Sequence, residues 1–143
     1  MPYDKPLPKI NPDNRPFWEG CRGHELRFQK CSDCGHVRWP PSPLCPCCHS
    51  TGITWLVSRG MGRVYTFAVY HTAYHPGFAA DLPYTVAVVA LDEGPHLLTT
   101  IVGCKPDEVR CDMPVDVLWE DVDETLSLPR FKPFPGDKEH DEP

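Results

Sequence analysis

The chain has 143 residues, a formal net charge of −6, 18 prolines and eight cysteines. That length suits one compact domain with a small appendage, or two very small units sharing a core. No apolar run reaches the ~18 residues of a membrane span. The opening MPYDKPLPKINPDNRP lacks the apolar centre of a secretory signal. A cytoplasmic chain is therefore expected, in which cysteines bind metal rather than pair as disulfides.

Charge is divided unevenly. Residues 1–63 hold nine Lys/Arg against five Asp/Glu, a net of +4, and residues 64–143 hold five against fifteen, a net of −10. An anionic ligand would prefer the first half or the seam. The acidic second half would repel a nucleic-acid backbone.

In chain order, residues 1–13 read as a proline-rich extended arm that a partner would order. Asn14 is placed to cap a short helix opening at Arg15-Pro16, where proline is tolerated. The helix would carry Phe17, Trp18 and Cys21 and stop near Gly23. Eight or so residues make no stable helix alone. Phe17 and Trp18 must therefore pack on the following unit or wall a ligand groove.

That unit is CSDCGHVRWPPSPLCPCC, residues 31–48. Cys31/Cys34 and Cys45/Cys48 form two Cys-x-x-Cys pairs with ten residues between them. Each pair puts two sulfurs on one ion, and four sulfurs suit tetrahedral zinc. Gly35 follows the first knuckle, where a positive φ is useful. Cys47, His36 and His49 are left outside the ligand set, because four sulfurs already close a structural site. Residues 26–30 and 36–39 read as the two strands of a ribbon. Pro40, Pro41 and Pro43 stiffen the passage to the second knuckle, and residues 53–57 form a further strand. So small a unit leans on its metal for stability.

Beyond Gly60-Met61-Gly62 the composition turns β-branched and aromatic. Strands are expected at 62–71, 84–92, 96–102, 115–120 and 126–131, with a turn at Asp92-Glu93-Gly94-Pro95 and one helical turn at 106–110. Five strands in so short a stretch suit a small closed barrel, an OB-fold before an SH3-like one. The fold class expected is mostly β, a short helix and rubredoxin-like zinc ribbon followed by a five-stranded OB-fold barrel. The division is 1–13 arm, 14–58 helix plus ribbon, 59–134 barrel and 135–143 acidic tail. The loop after the first barrel strand carries His71, Tyr74, His75 and Phe78, more apolar surface than solubility needs. With Val88 or Val89 of the next strand, Tyr74 and Phe78 are the candidate partner interface.

No Ser/His/Asp order and no GxxxxGK phosphate loop stands out, and His24-Glu25 is not HExxH. Cys47 as nucleophile and His71 or His75 as base lack evident partners. No catalytic residue is assigned.

The order of short helix, CxxC ribbon and barrel resembles a known family, the zinc-ribbon/OB-fold acyl-CoA-associated proteins first catalogued as a domain of unknown function. The segments that carry the resemblance run from about Arg15 to Pro133. They are Phe17-Trp18-Glu19-Gly20, Cys31-Ser32-Asp33-Cys34-Gly35, Pro40-Pro41-Ser42-Pro43-Leu44-Cys45-Pro46-Cys47-Cys48, Gly60-Met61-Gly62-Arg63-Val64-Tyr65-Thr66-Phe67, Leu91-Asp92-Glu93-Gly94-Pro95, Val102-Gly103-Cys104 and Leu128-Pro129-Arg130-Phe131. One departure is Cys47-Cys48-His49, where the family has a polar residue, cysteine and glycine. The resemblance implies a non-catalytic companion of a thiolase, a lipid-transfer-protein-like aldolase or a MaoC-like enoyl-CoA hydratase. Such companions are linked to steroid side-chain degradation and acyl transfer. It further implies a helix and ribbon that meet acyl-CoA and a barrel that meets the enzyme.

The residues offer matching chemistry. Arg22, Arg27, Arg38, Arg59 and Arg63 are candidates for the CoA phosphates, and Phe17, Trp18 and Trp39 for the acyl or pantetheine path. Two other readings compete. One is a single-stranded nucleic-acid module, against which the acidic barrel argues. The other is a rubredoxin-like electron carrier, for which the knuckles would hold iron in place of zinc.

Overall fold

The computed structural model describes residue 5 and residues 7–134. The expected tail, and residues 1–4 and 6 of the arm, lie outside the described residues. Helix α1 spans Arg15–Arg22, with Pro16 in its first turn and Gly23 ending it. Its inner face is Phe17, Gly20 and Cys21. Asn14 does not cap it through its side chain. The Asn14 Oδ1 instead accepts from the Asn11 N–H at 2.8 Å, and Nδ2 donates to the Lys9 carbonyl at 3.0 Å. The amide is spent on folding the arm against the helix start.

Strands β1 (Leu26–Cys31), β2 (Val37–Arg38) and β3 (Ile53–Ser58) form an antiparallel sheet in the order β2-β1-β3. Five further strands follow: β4 (Met61–Tyr70), β5 (Tyr84–Leu91), β6 (His96–Ile101), β7 (Pro114–Asp123) and β8 (Leu126–Pro133). They close into a barrel ordered β4-β5-β6-β8-β7. The parallel contact Ile101↔Phe131 completes the closure. All other strand pairs are antiparallel. The expected helical turn after β6 is a single 3-10 turn at Pro106–Glu108. The β7 and β8 strands outrun their expected limits because the hairpin continues as a ribbon beyond the alternating stretch. Gly62 sits where β4 crosses β5: a side-chain Cβ there would lie 2.4 Å from the Ala90 carbonyl oxygen.

Helix, ribbon and barrel share one core. Phe17, Cys21, Leu26 and Phe28 are contiguous with Val64, Val89, Leu97, Val115 and Phe131. The helix α1 is the bridge, since it packs on both β1 and β8. Two polar ties cross the same seam. Glu93, in the β5–β6 turn, accepts from the Ser58 hydroxyl at 2.6 Å and the Arg59 N–H at 3.0 Å. The His24 ring stacks on Trp119 at 5.4 Å, with Nε2 2.7 Å from the Asp121 carboxylate. The arm does not wait for a partner at Lys5. That ammonium pairs with Asp81 at 2.9 Å and lies over the Phe78 ring at 5.6 Å.

Candidate metal centre and ligand surfaces

The Sγ atoms of Cys31, Cys34, Cys45 and Cys48 all lie within 4.8 Å of one another. Cys31 and Cys48 approach to 3.5 Å, and Cys34 and Cys45 to 3.7 Å. Four sulfurs ~2.3 Å from a tetrahedral ion would stand about 3.8 Å apart, so the spacing fits one ion. The two knuckles repeat one another. The Asp33 and Cys34 N–H groups donate to Cys31 Sγ at 3.4 Å, and the Cys47 N–H donates to Cys45 Sγ at 3.4 Å. The Gly35 N–H reaches the Cys31 carbonyl and the His49 N–H the Cys45 carbonyl, both at 2.9 Å. Gly35 has φ +81° and His49 φ +65°. His49 thus takes the left-handed position that glycine holds in the first knuckle, which is what the departure at Cys47-Cys48-His49 means physically.

Sulfur electrostatics point the same way. The Cys34 N–H pulls the Cys31 thiol down to about 6. Cys45 is lowered as well, first by the Cys48 N–H and then by that of Cys47. At Cys48 the Ser50 N–H lowers the value, but the Cys31 sulfur, burial and the sulfurs of Cys34 and Cys45 together push it up to about 12. Cys34 is raised on balance, the His36 N–H and the Cys48 sulfur working against burial and the sulfurs of Cys45 and Cys31. Four sulfurs this close cannot all ionise without a cation between them, and binding one releases the protons of those still held as thiols. Cys47 is exposed and outside the cluster. His75 accepts from the Gly77 N–H through Nδ1 at 3.0 Å, so it shapes its own loop.

The candidate CoA residues divide. Trp18 and Trp39, both half-buried, meet in one groove of about 280 Å³ with Pro40, Pro41 and the arm residues Pro8 and Lys9. Phe17 is a correction: at 1% exposure it lies behind the groove, 4.3 Å from the Trp39 ring and 4.9 Å from Trp18, and props the two rings from within. Arg38 is the second correction. It is 5% exposed, and Nη2 donates inward to the Ser42 carbonyl at 2.9 Å. A guanidinium so enclosed cannot meet a surface phosphate. Arg27 is half-buried and forked on Glu25 at 2.9 Å. Arg22, Arg59 and Arg63 are exposed, and Arg63 donates to the Asp112 carbonyl at 2.8 Å. The groove's proline and lysine walls escaped the sequence reading, because nothing local says that the arm returns to α1.

At the partner-facing candidates, Tyr74 is 81% exposed and Phe78 half-buried. Phe78 stacks on Tyr84 at 5.1 Å, Tyr84 on Tyr70 at 5.2 Å, and Tyr74 meets Tyr70 edge-on at 5.9 Å. Val88 faces outward and is half-buried, whereas Val89 is fully buried in the barrel and is removed from the interface set. Among the described residues no helix is long and apolar enough to cross a membrane.

Comparison with known proteins places this architecture. Residues 18–54 match the family described as ChsH2, rubredoxin-like zinc ribbon domain, and residues 55–120 match ChsH2, C-terminal OB-fold domain. A DUF35 domain-containing scaffold protein of Pyrococcus furiosus is 33% identical over 109 residues, covering 76% of this chain and 79% of that protein. This chain belongs to the DUF35 family. A chain of the solved Ltp2-ChsH2(DUF35) aldolase superposes on this DUF35 chain with a TM-score of 0.81 at 40% identity, covering 89% of this chain and 98% of that one. The probable enoyl-CoA hydratase alpha subunit of Thermomonospora curvata is 40% identical over 129 residues, 90% of this chain. The 3-oxo-4,17-pregnadiene-20-carboxyl-CoA hydratase alpha subunit of Mycobacterium tuberculosis is 37% identical over 114 residues, 80% of this chain. The DUF35 chain spans 40% and 36% of the length of those two hydratase subunits.

Proposed function

We propose that this chain is a non-catalytic, acyl-CoA-binding accessory subunit. It would complete a thiolase-like enzyme, either a lipid-transfer-protein-like aldolase or a thiolase, or a MaoC-like enoyl-CoA hydratase. Steroid side-chain or other acyl-CoA metabolism is the setting. The observation that carries this reading is the fold-long likeness to a chain of the Ltp2-ChsH2(DUF35) aldolase, at 98% coverage of that chain. The names of the two hydratase subunits point to the same chemistry of CoA thioesters.

In this reading the Trp18/Trp39 groove takes the pantetheine or acyl portion. Its aromatic walls offer apolar area, and Lys9 at its rim offers charge. Arg22, Arg59 and Arg63 are the exposed arginines offered to the CoA phosphates. Tyr74, Phe78 and Val88 meet the enzyme. The metal in this reading is zinc rather than iron, in keeping with the zinc ribbon domain that residues 18–54 match and with a closed four-sulfur structural site. When bound, zinc holds the two knuckles together and supplies no reactive position. The acidic barrel disfavours a polyanion as the partner.

The test takes the purified chain and the acyl-CoA-processing enzyme that co-purifies with it. Acyl-CoA should not turn over on the chain alone, and the two proteins should elute as one complex. Calorimetry with an acyl-CoA should show Trp18→Ala and Trp39→Ala each weakening binding about tenfold, the loss expected for one buried aromatic contact. Turnover by the isolated chain, or unchanged CoA affinity in both variants, would sink the proposal. Metal analysis should return one zinc per chain, and a red iron-loaded protein would favour the electron-carrier reading.

A further inference from the structure

Strand β5 alternates half-buried and buried residues along its whole length. Its inward residues, Thr85, Ala87, Val89 and Leu91, fill the barrel. Its outward residues, Tyr84, Val86, Val88 and Ala90, are just as apolar. A strand with one face in water ordinarily alternates apolar with polar. Register extends this anomaly sideways. Val88 pairs with Thr66 on β4 and Leu98 on β6, and Val86 pairs with Ala68 and Thr100. These two rows, three strands wide, contain no charged side chain.

The most exposed apolar side chains of the face stand on its flanking strands. Leu98 is 66% exposed and Tyr65 61%. Tyr65 lies at the register shift in β4, and its ring reaches across β5 to His96 at 4.7 Å. An aromatic ring laid over a strand of Val and Ala, beside an outward leucine, is the composition of the buried centre of a protein–protein interface. In the barrel's own order β5 and β6 are strands two and three, and the His71-to-Pro83 loop is the first loop. OB-folds bind their ligands on that face.

The chemistry selects the occupant. An oligonucleotide needs a row of cations along its track, whereas here the cations stand at the edges, Arg63 beside Ala90 and Arg130 donating to the Thr100 hydroxyl at 3.5 Å. A second copy would bring up a barrel of the same sign, since residues 64–134 hold four Lys/Arg against eleven Asp/Glu. The net charge of −7 on residues 64–134, with Asp92 beyond one end of the face, favours a partner with a cationic rim around an apolar centre.

We infer that the enzyme subunit docks side-on across β4, β5 and β6, with Leu98 and Tyr65 as its anchors and Val86, Val88 and Ala90 as the floor between them. This rests on the accessory-subunit reading above and names the surface through which it acts. The Phe78–Tyr84–Tyr70 stack continues the floor at the loop end, so the loop residues become the rim of this footprint rather than its centre.

The test is surface plasmon resonance of the full chain against the enzyme subunit that co-purifies with it. Leu98→Asp and Tyr65→Asp should each weaken binding about 30-fold or more, the loss typical of an anchor. Leu118→Asp, an equally drastic change at an exposed leucine on β7, should change binding less than about threefold, as expected outside the footprint. If either aspartate variant melts early, Leu98→Gln and Tyr65→Gln replace it, with about tenfold weakening expected. Parent-like binding by the Leu98 and Tyr65 variants overturns the docking face while leaving the accessory role standing. A parent chain that binds no enzyme overturns both. A parent that elutes as a dimer, and as a monomer after Leu98→Asp, overturns the inference in favour of a second copy.

Discussion

The ribbon and the barrel reach stability by different routes. The ribbon sheet has strands of six, two and six residues, and its far end, at the knuckles, contributes no apolar cluster of its own. Four sulfurs and a ring of N–H donors hold that end. The barrel closes on itself through hydrogen bonds and buries Val64, Val89, Leu97, Val115 and Phe131. Burial of apolar area grows with size, and a unit of about 40 residues falls short where one of about 75 does not. A metal substitutes for the missing core at one end, and strand closure suffices at the other. Between them α1 belongs to both, its Phe17 and Cys21 joining the two cores.

The largest expected effect breaks the ribbon alone. Cys31→Ser should abolish stoichiometric metal binding, because structural zinc contributes on the order of 10 kcal/mol to folding such units. Mass spectrometry should find less than one ion per chain, and two-dimensional NMR should show the barrel resonances largely in place. Loss of the barrel signals as well would mean that the shared core is one cooperative unit. Phe131→Ala makes the complementary cut. The ring is fully buried at the β6–β8 closure, so the chain should lose about 3–5 kcal/mol in denaturant unfolding, with its metal content unchanged. A cost under ~1 kcal/mol would contradict the closed-barrel packing.

The smallest effect concerns the polar seam. Asp121 accepts from the Ser127 hydroxyl and lies against His24. The Ser127 bond first, then the His24 contact, hold its carboxyl below its ordinary 3.8. A carboxyl depressed on folding adds stability above its unfolded value, and that contribution fades as pH falls through the folded one. Asp121→Asn should therefore be slightly less stable than the parent near pH 6, with the gap closing below 3.8. An NMR titration placing Asp121 at or above 3.8 would show that the seam carries no such coupling.

What sequence reading missed has a common cause. Val88 and Val89 are chemically alike, and a strand apolar at every position from Val86 to Leu91 carries no alternation to say which parity points inward. Phe17, Trp18 and Trp39 are all large aromatics near the ribbon. Their order in space, with one ring behind and two in front, depends on where β8 presses on α1. Arg38 reads as a surface cation, but the chain after Pro40-Pro41 returns over it and lays the Ser42 carbonyl on Nη2. Asn14 has the right type and place for a helix cap, yet the returning arm offers its amide closer partners.

Local chemistry by itself determined the four-sulfur cluster, the helix start and stop, and the identity of every strand. Each is set by neighbours a few residues apart: a CxxC turn, a proline after the cap, a β-branched run between turns. Burial on the two-sided strand, the meeting of Trp18 with Trp39 in one groove, and the uncharged rows through Val86 and Val88 on the outer face of β4–β6 were decided by tertiary structure. Those depend on which way a closed barrel turns a strand that is apolar on both sides, and that is fixed when Ile101 meets Phe131, 30 residues apart in the chain.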